Sequence, residues 1–160
     1  MSEDYLVDKN VQLDELDEKI LKLITKNARI PFLEVARACG VSGAAIHQRV
    51  QRLLNMGVIV GSEFIVNASK LGYNTCAYMG IYLDKQSNDK SVVDEIEKIP
   101  EVVECHHTTG QYAIFVKLQA KTNKHLKKVI DTDIQNIDGI ARTETFISLE
   151  QVFKRQVPIK

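Results

Sequence analysis

The residue pattern predicts an α+β chain in two parts: a helical N-terminal third, then a longer stretch of alternating strands and helices. Two observations predict it. Apolar residues recur at helical spacing through residues 13–54, and from residue 77 onward they recur every second residue in short runs separated by two helical stretches. Between these rhythms lies a polar stretch, 67–74, with Gly72, which reads as a hinge.

Residues 1–12 are polar and acidic and read as a loose arm. Leu13, Leu16, Ile20, Leu23 and Ile24 then fall on one helical face. Asp14 is the expected N-cap, and the acids behind it suit the positive end of the helix dipole. Pro31 opens a second helix, 32–39, at its first turn. This helix is expected to bury Leu33, Val35 or Ala36, and Cys39, and Gly40 ends it by permitting a left-handed backbone. Ser42 caps a third helix that runs to Gly57, with Ile46, Val50, Leu53 and Leu54 directed to a core. Residues 58–66 are β-branched and apolar around Gly61 and read as a short hairpin or ribbon.

In the second part, Ala77, Met79, Ile81 and Leu83 alternate with Tyr78, Gly80 and Tyr82 in a strand. Val92, Val93, Ile96 and Ile99 define a helix stopped by Pro100. Strands follow at 102–107 and around Ile114, Val116 and Leu118. A helix then carries Leu126, Val129, Ile130, Ile134 and Ile137, and a final strand spans 140–153. The order β-α-β-β-α-β is the ferredoxin-like motif. The expected domains are thus an arm (1–12), a helix-turn-helix domain of winged type (13–60), a ribbon and hinge (61–74) and a ferredoxin-like domain (75–160).

Charge is unevenly placed. The chain balances 21 basic against 21 acidic residues, but residues 19–60 carry seven bases and one acid, a local excess of +6. That is the electrostatic character of a phosphate-binding surface. The third helix carries Ala44, Gln48, Gln51, Arg52 and Asn55 opposite its apolar seam, with Arg49 and His47 on the flanks. Gln, Arg and Asn make bidentate contacts with purine edges in the major groove. The nearly side-chain-free turn Gly43-Ala44-Ala45 lets the helix N-terminus approach a phosphate closely. The residues expected to meet double-stranded DNA are therefore Ser42, Ala44, Ala45, Gln48, Arg49, Gln51 and Arg52.

One face of the predicted sheet is covered by helices. The other presents Tyr78, Tyr82 and Phe115, which favours a homodimer over partial cover by the chain's own tail around Val152 to Ile159, since exposed apolar patches mark interfaces. The turn at Thr108-Thr109-Gly110-Gln111-Tyr112 could offer backbone N–H groups and hydroxyls to a small polar ligand, but from these residues alone it reads as a plain hairpin turn. Cys105 and His107 alternate with His106 along a strand, so they cannot converge on a metal. Three cysteines without Cys-x-x-Cys spacing read as small buried side chains in a reducing compartment. No catalytic motif, resident cofactor or metal set is evident. Neither a secretory signal nor an apolar run of roughly 20 residues is present, and a cytoplasmic protein without a membrane partner is expected.

The run Leu13-Asp14-x-x-Asp17-x-Lys19-Ile20-Leu21, then Val41-Ser42, then Arg49-Val50-x-Arg52-Leu53-x-x-x-Gly57-Val58-Ile59-x-Gly61, resembles the Lrp/AsnC (feast/famine) regulators. Thr109-Gly110-x-Tyr112 and Arg142-Thr143-x-Thr145 are similar to that family's amino-acid-sensing domain. The resemblance implies a transcription regulator, not an enzyme. It implies dimers assembled into rings, commonly octamers (tetramers of dimers), and an amino acid or related metabolite as effector. Thr109, Gly110, Gln111, Tyr112, Thr143 and Thr145 would line the effector cleft. Where the family often places acidic residues on both sides of the tyrosine, this chain has Gln111 and Ala113, which alters the partners available to an ammonium group. A second reading makes the chain a metabolite-binding module that regulates a partner enzyme by protein contact.

Overall fold

The computed structural model describes residues 11–159, so most of the expected arm, residues 1–10, lies outside the described residues. The chain divides into two compact units, one reaching Ile65 and including the stretch from Lys154, the other Val66–Phe153.

The first unit is built on three helices: α1 (Glu15–Ile24), α2 (Phe32–Cys39) and α3 (Gly43–Asn55). Helix α1 starts in a capping box: the Asp17 N–H donates to Asp14 Oδ1 at 2.9 Å, and the Asp14 N–H donates to Asp17 Oδ2 at 3.2 Å. Pro31 is the N-cap of α2 rather than its first helical residue; its extended backbone aims its carbonyl at the Glu34 and Val35 N–H groups. Gly40 ends α2 in the left-handed region at φ 70°. Ile20, Val35, Ala36 and Ile46 form the buried centre, and Leu53 is also fully buried. Two expected core residues are not core. Leu33 is 58% exposed and Leu54 40% exposed. Leu33 lies two positions from Val35, on the far side of a helix whose inner face is Val35, Ala36 and Cys39. Leu54 sits one position beyond the Ile46-Val50-Leu53 seam.

Residues 58–66 form no backbone ladder, contrary to the expected ribbon. Val58 and Ile59 donate back to the Leu53 carbonyl and close α3, and beyond them Val60, Phe64 and Ile65 are 95%, 75% and 90% exposed. A strand needs a partner for its N–H and C=O groups, and the described chain supplies none here.

The second unit holds β1 (Thr75–Leu83), α4 (Asp89–Glu97), β2 (Val102–His107), β3 (Ile114–Ala120), α5 (Asn123–Lys128) and β4 (Ile140–Ser148). Its sheet is antiparallel in the order β2-β3-β1-β4, as the ferredoxin-like pattern requires. Ala77, Met79, Ile81, Ile114, Val116 and Leu118 pack under Val92, Ile96, Leu126, Val129 and Ile134 in one core. After α5 the chain widens into a π-helix, Val129–Ile134, marked by the Gln135 N–H donating to the Ile130 carbonyl at 2.9 Å. The widening lets Val129 and Ile134, five apart, both face the sheet, which α-helical spacing would not. Strand β4 stops at Ser148, short of the expected 153, because its last partner on β1 is Cys76. Cys39 and Cys76 are only half-buried and Cys105 is exposed, so the cysteines are less buried than their composition suggests. No described helix is long and apolar enough to cross a membrane.

Candidate functional site

Helix α3 begins as its sequence implies. Ser42 Oγ accepts the Ala45 N–H at 3.2 Å, and no side chain larger than a methyl stands in the first turn. Ala44, Gln48 and Gln51 are exposed and Ala45 is half-exposed. Gln51 Nε2 donates to Asn55 Oδ1 at 3.0 Å, which fixes its amide one turn from Gln48. On the flank, His47 packs edge-on against Phe32, ring centroids 4.6 Å apart.

The two arginines behave differently from the expected reading side chains. Arg49 donates to Asp14 and, at 3.1 Å, to Asp17 Oδ1. Arg52 donates to Asp17 Oδ2 at 2.8 Å and reaches the Gln12 carbonyl at 3.5 Å. Both guanidinium groups are thus turned onto the start of α1, and Asp17 is wholly buried between them. Arg49 holds the Asp14 carboxyl below the ordinary carboxylate range, and its own pKa is raised in return. The sequence reading places Arg49 and Arg52 on the DNA-reading surface; in this chain both are ion-paired to α1. The signal was present in the sequence: Asp14 and Asp17 are spaced by one turn, and so are Arg49 and Arg52. It also reduces the local charge excess, since two of the seven bases are neutralised by acids outside their segment. Within residues 19–60, Lys19, Lys22, Lys26, Arg29 and Arg37 remain against the single acid Glu34.

On the sheet, paired residues face the same side. Tyr78, Gly80 and Tyr82 of β1, Phe115 and Lys117 of β3, and Arg142, Glu144 and Phe146 of β4 therefore share the face that carries no helix. The expected exposed aromatic patch is half-buried, because the rings cover one another. Tyr78 stacks on Phe115 at 6.1 Å, Phe115 meets Tyr112 at 5.9 Å, and Tyr112 meets Tyr82 edge-on at 5.1 Å. Tyr112 lies directly over Gly80, where a Cβ would come within 2.4 Å of its ring. Glu144 collects this cluster: Tyr112 donates to it at 2.6 Å, Tyr82 at 3.2 Å, and Arg142 pairs with it at 3.3 Å while lying over the Tyr82 ring. The Tyr112 hydrogen bond, helped by Tyr82 and Arg142, lowers the Glu144 pKa, and Glu144 raises that of Tyr112.

The expected effector residues are divided by this geometry. Thr109, Gly110 and Gln111 sit exposed in the turn after β2, with Gly110 at φ 102°, and Tyr112 folds onto the open face. Thr143 and Thr145 pair with Ile81 and Met79, so they point to the helix-covered side. There Thr143 Oγ1 receives Gln135 Nε2 at 3.4 Å. Within one chain, Tyr112 and the two threonines lie on opposite faces. Sequence reasoning missed Glu144, the residue between the threonines, and with it Tyr82 and Arg142. Strict strand parity from Tyr82 across to Arg142 would have pointed to them.

Comparison with known proteins follows these two units. Residues 13–60 match the family model for winged helix-turn-helix DNA-binding domains, and residues 76–158 match that for the Lrp/AsnC ligand binding domain. The chain is 41% identical over 145 residues to the regulatory protein AsnC of Haemophilus influenzae, covering 91% of this chain and 97% of that one. It is 34% identical over 150 residues to the HTH-type transcriptional regulator FL11 of Pyrococcus furiosus, covering 92% and 97%. The solved structure of Escherichia coli AsnC superposes with a TM-score of 0.87 at 36% identity, covering 91% of this chain and 98% of that one.

Proposed function

Because the chain belongs to the Lrp/AsnC family of DNA-binding transcriptional regulators with a ligand-binding domain, we propose that it reads a specific operator through α3 as a homodimer, with dimers gathered into octamers. The observation that carries this reading is the bare first turn of α3 leading to the exposed amides of Gln48 and Gln51. Ser42, Ala44 and Ala45 bring the helix N-terminus to the phosphate, and Gln48 and Gln51 meet base edges. Each bidentate amide contact is worth about 1–3 kcal/mol of discrimination. Replacing both glutamines by alanine should therefore weaken operator binding by about 30-fold or more, with binding to random duplex little changed. A mobility-shift titration on DNA upstream of the gene measures both. Unaltered operator affinity would remove α3 from the reading role.

Dimerisation is supported by the exposed apolar residues Val60, Phe64 and Ile65, and by the half-exposed Phe146 and Ile147 on an edge strand. A second copy supplies partners for the backbone of 60–66 and a second recognition helix for a two-fold operator. The sheet unit takes an amino acid or related small metabolite as effector, with Thr109, Gly110, Gln111 and Tyr112 on one side of the site. Thr143 and Thr145 face away from Tyr112 in the same chain, so the complete site draws those threonines from another copy. A thermal-shift screen of the twenty amino acids tests this. Ligand at 100 times its Kd stabilises the fold by about 2.7 kcal/mol, and no shift with any amino acid would remove that effector class. The protein-contact alternative receives no support from the matched relatives.

A further inference from the structure

We propose that Asp17 is a specificity-determining positioning residue: it ties Arg49 and Arg52 of α3 to α1 and thereby withholds two guanidinium groups from the DNA phosphates. The inference rests on α3 being the DNA-contacting helix. Arg52 lies one turn after Gln48 on the same face, where an unrestrained guanidinium would reach the phosphates bounding the groove. A guanidinium on a phosphate adds affinity for every sequence alike and no base discrimination.

The restraint is strong because it is asymmetric. Asp17 has no solvent exposure, while the Arg49 and Arg52 side chains are 31% and 44% exposed. Both carboxylate oxygens are engaged: Oδ1 by Arg49, and Oδ2 by Arg52 and the Asp14 N–H. For a phosphate to capture Arg52, a buried carboxylate must give up a charged partner. Stripping a buried charge costs far more than an exposed ion pair returns. The exchange therefore runs against the phosphate. Two aspartates and two arginines close as a neutral set, so α3 approaches DNA with its amides presented and its arginines occupied. Asp14 differs from Asp17. Its side chain is 51% exposed and, among the described residues, it pairs with Arg49 alone.

The test is the dependence of log K on log salt for random duplex and for operator, measured on the full chain. Each phosphate neutralised adds about 0.9 to the steepness of that line for duplex DNA. Arg52→Gln should leave the slope on random duplex unchanged, because Arg52 holds no phosphate; a slope shallower by about 0.9 per bound helix would overturn the proposal. Asp17→Asn should raise random-duplex affinity, steepen the slope by about 0.9 per bound helix as Arg52 is released while Asp14 keeps Arg49, and narrow the ratio of operator to random binding. An unchanged or shallower slope in a folded Asp17→Asn protein would also overturn it. If circular dichroism shows that variant unfolded, Asp14→Asn replaces it, since asparagine caps a helix as well as aspartate. Asp17 still holds Arg49 in that variant, so the slope should stay unchanged, and a slope steeper by about 0.9 per bound helix would place the restraint on Asp14 and overturn the proposal. Absence of any salt-dependent binding by the native chain would instead remove the DNA-reading assignment of α3, and this inference with it.

Discussion

Replacing Ile46 by alanine will unfold the helical unit at 37 °C and abolish DNA binding while the sheet unit stays folded. Ile46 is fully buried at the point where α3 meets Ile20 of α1 and Val35 of α2. Truncating a buried isoleucine costs about 2–5 kcal/mol, because the removed methyls leave a cavity that neighbours fill only partly. A core of this size supplies only about 3–5 kcal/mol in total. The substitution therefore consumes most of the unit's stability. Leu54→Ala, on the same helix at 40% exposure, should cost under about 0.5 kcal/mol. Hydrogen exchange resolves the two units: amides of α1–α3 should lose protection in Ile46→Ala while those of β1 and β3 keep it. Retained helix protection together with retained operator binding would refute the expectation.

Replacing Gly80 by valine will break the Tyr112–Glu144 hydrogen bond. A Cβ at Gly80 would lie 2.4 Å from the Tyr112 ring, far inside contact distance. Either the strand shifts or the ring leaves the sheet, and overpacking of this kind costs about 1–3 kcal/mol. The ring is the freer of the two, because it belongs to the turn. Once it leaves, Glu144 keeps Tyr82 and Arg142 but loses its shortest hydrogen bond.

The pH profile reports the break. In the native chain the Glu144 pKa is depressed below 4.5, so its contribution to stability is present above that value and lost as pH falls through the depressed one. Tyr112 is raised above 10.0, so its contribution is present below that value and lost as pH rises through the raised one. Stability of Gly80→Val should therefore fall less than that of the native chain at both the acid and the alkaline limb. A denaturant series at several pH values measures this, and parallel native and variant profiles would contradict it.

The elements were largely legible because each announced itself locally. Asp14, Gly40, Ser42 and Gly57 mark helix ends through backbone needs that only such residues meet well. The alternation through Met79 and Ile81, and through Ile114, Val116 and Leu118, places one sheet face under the helices. What was not legible depends on pairing at a distance. Arg49 and Arg52 read as DNA-facing because their partners, Asp14 and Asp17, stand on another helix and looked like ordinary dipole-favouring acids. Thr143 and Thr145 read as companions of Tyr112, although strand parity sets them on the other face and brings Glu144 to Tyr112 instead. The ribbon at 58–66 and the strand end at 149–153 failed for a shared reason. β-propensity states what a segment can do, and a ladder forms only where a partner strand lies alongside.

The strand order β2-β3-β1-β4 also sets a timetable for folding. The three helices of the first unit are neighbours in sequence and need only short loops to close, so they form early and fast, and the stretch from Lys154 joins them last. In the sheet unit the first strand made, β1, occupies an inner position and is completed only when the last, β4, is laid against it. Until then β1 and β3 form a pair with one unprotected apolar edge, Thr75–Leu83, open to any other extended chain. On the ribosome the helices α1–α3 are thus formed while the sheet unit is still sticky. A crowded cell must shield β1 for the time it takes to synthesise α5 and β4.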